Sequence, residues 1–266
     1  MKKNKIPEAA KNGCSQNEGY AYYIGRGEKA LDYHTLLARL GEGSAHPGGF
    51  QATKELIGQI NFSRGTKVLE AGCGTGRTAC YLAGLGVSVT AIDRNGDMIQ
   101  KATHRARLSG LPIRFMQADA SSLPFPDETF DAVFTESVTA FTQGSTAIHE
   151  YWRVLKPTGV LYDRELAFAK SLTTAQKKTL QSFYGLQHLR TVPEWLKLMS
   201  KSKFHKYSAS PFSQMKQMTN DHDPLRVIDH ELFTKPDVVA MMMKNERLMS
   251  SFSNVMGSIV ITAWKA

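Results

Sequence analysis

Residues 68–83, VLEAGCGTGRTACYLA, set glycines at 72, 74 and 76 between an apolar run and a helix-length stretch. No other pattern in the chain narrows the fold as much. Glycines at such a junction let the backbone turn sharply and approach a ligand, while the first N–H groups of the following helix stay unpaired. Around this segment short apolar runs recur: TKVLEA (66–71), VSVTAID (87–93), IRFMQAD (113–119), FDAVFTE (130–136) and GVLYDREL (159–166). Helix-length stretches over about 76–85, 96–109 and 145–155 separate them. Alternation of this kind predicts βαβ units, a parallel sheet and right-handed crossovers that put helices on both faces.

The flanks break this rhythm. Residues 1–18 are polar without an apolar period, which predicts a mobile tail; MKKNKIPEAAKNG is basic but has no apolar segment of a secretory leader, so none is expected. Residues 19–60 predict a helical cap in two pieces. Leu31, Leu36, Leu37 and Leu40 recur at helical spacing, LGEGSAHPGGF interrupts, and Ala52, Leu56, Ile57 and Ile60 share one face of a second helix. The remainder, 61–266, is expected to form one domain with cap insertions at about 168–192 and 211–250. A helix is predicted over 193–202 with a strand after it, a Met-rich helix over 236–250, and a closing strand in MGSIVITAWKA. Eight of the eleven methionines lie at or beyond Met199, which suits an adaptable lid or, more simply, a loosely packed helical insertion.

The glycine loop discriminates between ligands. A dinucleotide fingerprint needs G-x-G-x-x-G/A, and Arg77 stands where its third glycine is due. Glu70, just before the glycines, would repel a pyrophosphate and attract an ammonium or sulfonium cation. Asp93 ends the next predicted strand, where a carboxylate can accept from two ribose hydroxyls. The loop therefore suits S-adenosylmethionine better than a nicotinamide dinucleotide.

Four ordered motifs, EAGCGTG (70–76), AID (91–93), QADASSLPFPDETFDAV (117–133) and RVLKPTGVL (153–161), carry a wider likeness. With them the chain resembles class I S-adenosylmethionine-dependent methyltransferases, and its core resembles the small-molecule branch that includes the ubiquinone/menaquinone methyltransferases. The likeness covers about residues 60–166. It implies a three-layer Rossmann-like sandwich around a mostly parallel seven-stranded sheet. It also implies that Glu70, Ala71 and Gly72, with Gly74 and Gly76 of the same loop, line the methionine part of the cofactor. Asp93, with Arg94 beside it, would hold the ribose, and Met98 would pack on the adenine. Asp119 would accept from the adenine amino group, the Ala120 N–H would meet a ring nitrogen, and Glu136 and Ser137 would border the transferred methyl. The product would be S-adenosylhomocysteine. Members of the family often carry Gly where Thr158 stands.

Methyl transfer from a sulfonium is an in-line displacement, so such a protein mainly aligns the acceptor and excludes water; a general base matters only when the acceptor must lose a proton. His46, in SAHPGGF, and Glu136 are the candidates for that part. Tyr20, Tyr22 and Tyr23 form a candidate second lid piece. His149 reads as a surface histidine. No cysteine lies near the fourth strand to act as the nucleophile of cytosine C5 methylation, and TESVTAF stands where relatives acting on amide or exocyclic amino groups resemble one another in an Asn/Asp-Pro-Pro-aromatic tetrapeptide. Those two acceptor chemistries are not favoured. DHDPLRVIDHE (221–231) holds metal-ligand residue types without zinc spacing, and reads as a polar capping loop.

Composition bounds the rest. A chain of 266 residues with 42% hydrophobic and 21% charged residues is an ordinary folded one, with no apolar run long enough to span a bilayer. Cys14, Cys73 and Cys80 form neither a CxxC pair nor a disulfide framework, which fits a reducing cytoplasm. The net charge is +9, and residues 170–206 hold eight Lys/Arg against one acid, Glu194. A solvated face is favoured there over a nucleic-acid groove, because few aromatics are interleaved. Three functions remain: a methyltransferase acting on a small molecule, one acting on RNA or protein through the basic stretch, and a non-catalytic cofactor-binding module. The first is preferred.

Overall fold

The computed structural model describes residues 31–215 and 222–266. The expected tail, Tyr20, Tyr22, Tyr23 and Asp221 lie outside the described residues. Two helices come first, α1 (Tyr33–Leu40) and α2 (Gly49–Ile60). Asp32 caps α1 by accepting from the Thr35 N–H at 2.6 Å, and Leu36 and Ala38 are buried on its inner side. Strand β1 (Lys67–Ala71), helix α3 (Arg77–Gly84), strand β2 (Ser88–Asp93), helix α4 (Gly96–Leu108) and strand β3 (Arg114–Gln117) follow, each within two or three residues of its predicted ends. Strand β4 (Phe130–Glu136), a 3-10 turn at Thr139–Phe141 and helix α5 (Ser145–Val154) lead into strand β5 (Leu155–Phe168).

Helices α6 (Thr174–Tyr184) and α7 (Val192–Met199), strands β6 (Lys206–Ala209) and β7 (Ser213–Gln214), helix α8 (Pro236–Phe252) and strand β8 (Met256–Trp264) complete the chain. The sheet order is β3-β2-β1-β4-β5-β8-β6. Pairs from β3 through β5 are parallel, and β8 runs antiparallel to both β5 and β6. The seven-stranded path is the one expected; an eighth strand, the two-residue β7, pairs β8.

Neighbouring residues of the central strands enter opposite layers, as the two-residue period of a strand requires. Leu69, Ile92 and Val133 face a core with Ile148, Tyr151 and Trp195. Val68, Ala91 and Ala132 face the other, with Ile57 of α2 and Leu82 of α3. The chain reverses its direction of sheet growth between β1 and β4, and a crevice opens at the carboxyl ends of the strands there.

Strand β5 starts at Leu155, four residues earlier than its apolar run indicates. Phe130 pairs Leu155, the register then shifts, and Ala132 pairs Val160. The Lys-Pro-Thr-Gly turn is absorbed as an irregularity, with Thr158 at φ 65. That left-handed conformation explains why glycine suits this position.

The 222–231 segment is a clasp. Arg105, 5% exposed on α4, donates to both carboxylate oxygens of Asp223 at 2.8 and 2.7 Å. Arg39 of α1 donates to Asp229 at 2.6 Å, and Arg226 meets Glu42 at 3.2 Å. Asp229 also caps the 3-10 turn His230–Thr234. In α8, Val238, Leu248 and Phe252 are buried, while Met242 and Met243 are exposed. Among the described residues no helix is long and apolar enough to cross a membrane.

Candidate functional site

A cleft of about 1150 Å³, measured out to its open mouth, lies where β1, β2 and β4 end. The glycine loop forms its floor, and α1 with the α1–α2 connection forms the opposite wall. Gly72 and Gly74 have φ 76 and 52, and a Cβ on Gly72 would overlap the Val138 side chain. Asp93 fixes this loop from β2: its carboxylate accepts from the Gly74 N–H at 2.9 Å and the Asn95 N–H at 2.8 Å.

Glu70 is 5% exposed, and its Oε2 has no hydrogen-bond partner. Burial, then the neighbouring Glu136 and Asp93 carboxylates, push its pKa well above the usual carboxylate range. A cation in the cleft would relieve that penalty. Ser137, at φ 56, likewise has a buried hydroxyl without a partner on this cleft.

His46 Nε2 lies 3.5 Å from Glu136 Oε2, and a residue the sequence did not single out joins the pair. The Thr53 hydroxyl donates to Glu136 Oε2 at 2.9 Å and lies 3.1 Å from His46 Nε2. Arg164 on β5 donates to Glu136 Oε1 at 2.9 Å and to the Ala52 carbonyl at 2.9 Å. Arg164 donates to the other Glu136 oxygen, and the single Thr53 proton goes to the carboxylate, which has only acceptors to offer it. In the tautomer that carries the Nε2 proton, His46 donates to Thr53 and keeps its lone pair on Nδ1. That nitrogen sits 3.5 Å from the Pro47 carbonyl, a partner for it once protonated.

Most of the expected residues come together here. Glu70, Gly72, Gly74, Asp93, Arg94, Met98, Asp119, Ala120, Glu136, Ser137 and His46 all line the cleft. Ala71 and Gly76 are not among the lining residues. Ala71 alternates away from Glu70 into the core, and Gly76 turns toward α4, where a Cβ would crowd Ala102. Asp119 accepts from the Ser121 N–H at 2.7 Å.

Tyr33, His34, Glu42 and Val138 line the cleft without having been anticipated, and Thr53 and Arg164 support it. A polar residue on the apolar face of α2 and a cation inside an apolar strand were the available signals. His149 is exposed. None of the eight basic residues of 170–206, and no methionine of α8, lines the cleft. Lys203 and Lys206 instead lie over Trp152 and Trp264, at 4.5 and 4.9 Å from the ring centres.

Residues 69–163 match a methyltransferase domain family. The uncharacterized methyltransferase YodH of Bacillus subtilis is 35% identical over 236 residues, which cover 88% of this chain and 99% of that one. Phosphoethanolamine N-methyltransferase 1 of Triticum aestivum is 28% identical over 152 residues, covering 55% of this chain and 30% of that protein. Among solved structures, phosphoethanolamine N-methyltransferase 2 of Haemonchus contortus, in complex with phosphomonomethylethanolamine and S-adenosylhomocysteine, superposes with a TM-score of 0.68 at 17% identity, covering 87% of this chain and 57% of that one.

Proposed function

The chain belongs to the class I S-adenosylmethionine-dependent methyltransferase family, and we propose that it binds S-adenosylmethionine across the ends of β1, β2 and β4 and methylates a small molecule, with S-adenosylhomocysteine as the other product. The orphaned Oε2 of Glu70 carries the reading: it is a buried acceptor on the cleft that a donor from a ligand would satisfy. When bound, the cofactor supplies a methyl carbon on a sulfonium, already activated for displacement.

Glu70 would take the ammonium of the methionine part. Asp93, aligned by the Gly74 and Asn95 amides, would accept from the ribose hydroxyls, with Arg94 beside it. Asp119, the Ala120 amide and Met98 would hold the adenine. Gly72 and Gly74 let the loop backbone come close, whereas Ala71 and Gly76 act by packing the floor from below.

On the acceptor side, His46 Nδ1 would take the proton that the acceptor releases and then donate to the Pro47 carbonyl. Glu136, Thr53 and Arg164 hold the ring in that tautomer. The wheat relative's named substrate class supports a small acceptor, as does a lining in which Arg94 is the only Lys or Arg among the described residues.

The test is transfer of label from methyl-labelled S-adenosylmethionine into a cell extract split into small molecules, RNA and protein, with Asp93→Ala as control. Label should enter the small-molecule fraction, and the variant, still folded by circular dichroism, should lose most cofactor affinity. Unchanged affinity in the variant would overturn the cofactor site, and label in RNA or protein would overturn the acceptor class.

A further inference from the structure

Directly below the turn that follows β4 lie two acids the transfer chemistry does not use. Asp163 and Glu165 are 1% and 0% exposed and point to the face of β5 opposite Arg164. Glu165 Oε1 accepts from the Val138 N–H at 2.9 Å and the Thr139 N–H at 2.7 Å. Asp163 Oδ2 accepts from the Thr139 hydroxyl at 2.9 Å. The turn they hold is the one that places Ser137 at φ 56 and presses Val138 against Gly72 of the glycine loop.

Two fully buried acids are an expensive way to fill a core, since apolar residues of similar volume stabilise at least as well. Burial raises both carboxyls, Glu165 to about 7 and Asp163 well above the carboxylate range, so the pair keeps a proton that exposed acids would release. Tyr151 and Arg190 are the other titratable groups that act on them. A carboxylate that accepts consecutive backbone N–H groups is well suited to hold a strained turn in one geometry.

We propose that Glu165 is a positioning residue for the methyl-donor pocket: from beneath the sheet it fixes the Ser137–Thr139 turn, and through Val138 it sets the glycine loop. The proposal rests on the donor reading given above. Glu165→Leu removes both acceptors, whereas Glu165→Gln keeps an oxygen in place of Oε1.

Affinity for S-adenosylhomocysteine, read by titration calorimetry, should fall in the Leu variant by roughly 3- to 30-fold, the range for a residue acting through another. The Gln variant should stay close to the unmodified chain. Amide exchange at Val138 and Thr139 should speed up in the Leu variant alone, a change that general loosening would spread over the whole domain. If the unmodified chain binds and the Leu variant binds as tightly, the role of Glu165 falls. If the unmodified chain fails to bind, the donor reading falls and takes this one with it. Should the Leu variant not fold, Gln decides: retained affinity and exchange protection support the role, and a tenfold or greater loss overturns it.

Discussion

Glu70→Gln changes one atom of the buried group on which the cofactor reading rests, and its consequences separate stability from binding. The folded chain holds the Glu70 carboxyl well above its ordinary value of 4.5, because of burial and then the Glu136 and Asp93 charges. Between those two values the folded state keeps a proton that the unfolded state releases. The stabilisation this gives is complete below pH 4.5 and is lost as pH rises toward the folded value. The loss amounts to about 1.4 kcal/mol per pH unit inside that window. Gln has no proton to lose, so the stability gap between variant and native chain should widen by up to that amount per unit. For a chain of this length it corresponds to roughly 3–5 °C in Tm per unit. Thermal melts of both proteins, stepped upward in pH from 4.5, would read it. Binding should move the other way: removing a charged acceptor from an ammonium costs about 1.5–3 kcal/mol, on the order of 10- to 100-fold in affinity for S-adenosylhomocysteine. Parallel melting curves would refute the burial argument, and undiminished affinity would refute the assignment of Glu70 to the ligand.

Two further substitutions address the rest of the molecule. His46→Gln should lower the rate of methyl transfer by about 10²–10⁴ where the acceptor must lose a proton, with S-adenosylhomocysteine affinity nearly unchanged; single-turnover label transfer beside calorimetry would separate the two, and an equal loss in both would mean that His46 shapes the cofactor site instead. Asp223→Ala leaves the guanidinium of Arg105 buried without its carboxylate, which should cost about 3–5 kcal/mol in urea unfolding, and a loss under about 1 kcal/mol would refute the view of this pair as a clasp.

The parallel core was legible because its signals are local. The strand periods, the glycine loop and Asp93 all fall within one stretch of chain, and the structure keeps them within a few residues of where the pattern puts them. Strand β5 was misjudged at its start because its register is set by pairing with Phe130, which no local pattern reports. On the site, Thr53 was missed although it sits on the buried side of α2 beside Leu56 and Ile57; its partner Glu136 is 83 residues away. Periodicity shows that such a residue is buried and says nothing of what it meets. Ala71 and Gly76 stand outside the cleft lining for the converse reason: a motif names a run of residues, while alternation along the strand and the helix start turn only some of them to the cleft.

The DRE run at 163–165 shows how both walls of one turn can depend on three consecutive positions. Strand alternation sends Arg164 to the layer of α2, where it holds Glu136 and, through Thr53, the His46 ring. The same alternation sends Asp163 and Glu165 to the layer of α5, where they hold the backbone of the following turn. A shift of one residue in the β4–β5 register would exchange the two sets and leave a cation under the turn and two acids against Glu136. The register is therefore under electrostatic as well as apolar control at this point. Charge is uneven as well: in a chain of +9, the described residues of the cleft lining include five acids, Glu42, Glu70, Asp93, Asp119 and Glu136, against Arg94 as the one Lys or Arg among them. A cationic methyl donor would meet an acidic lining there.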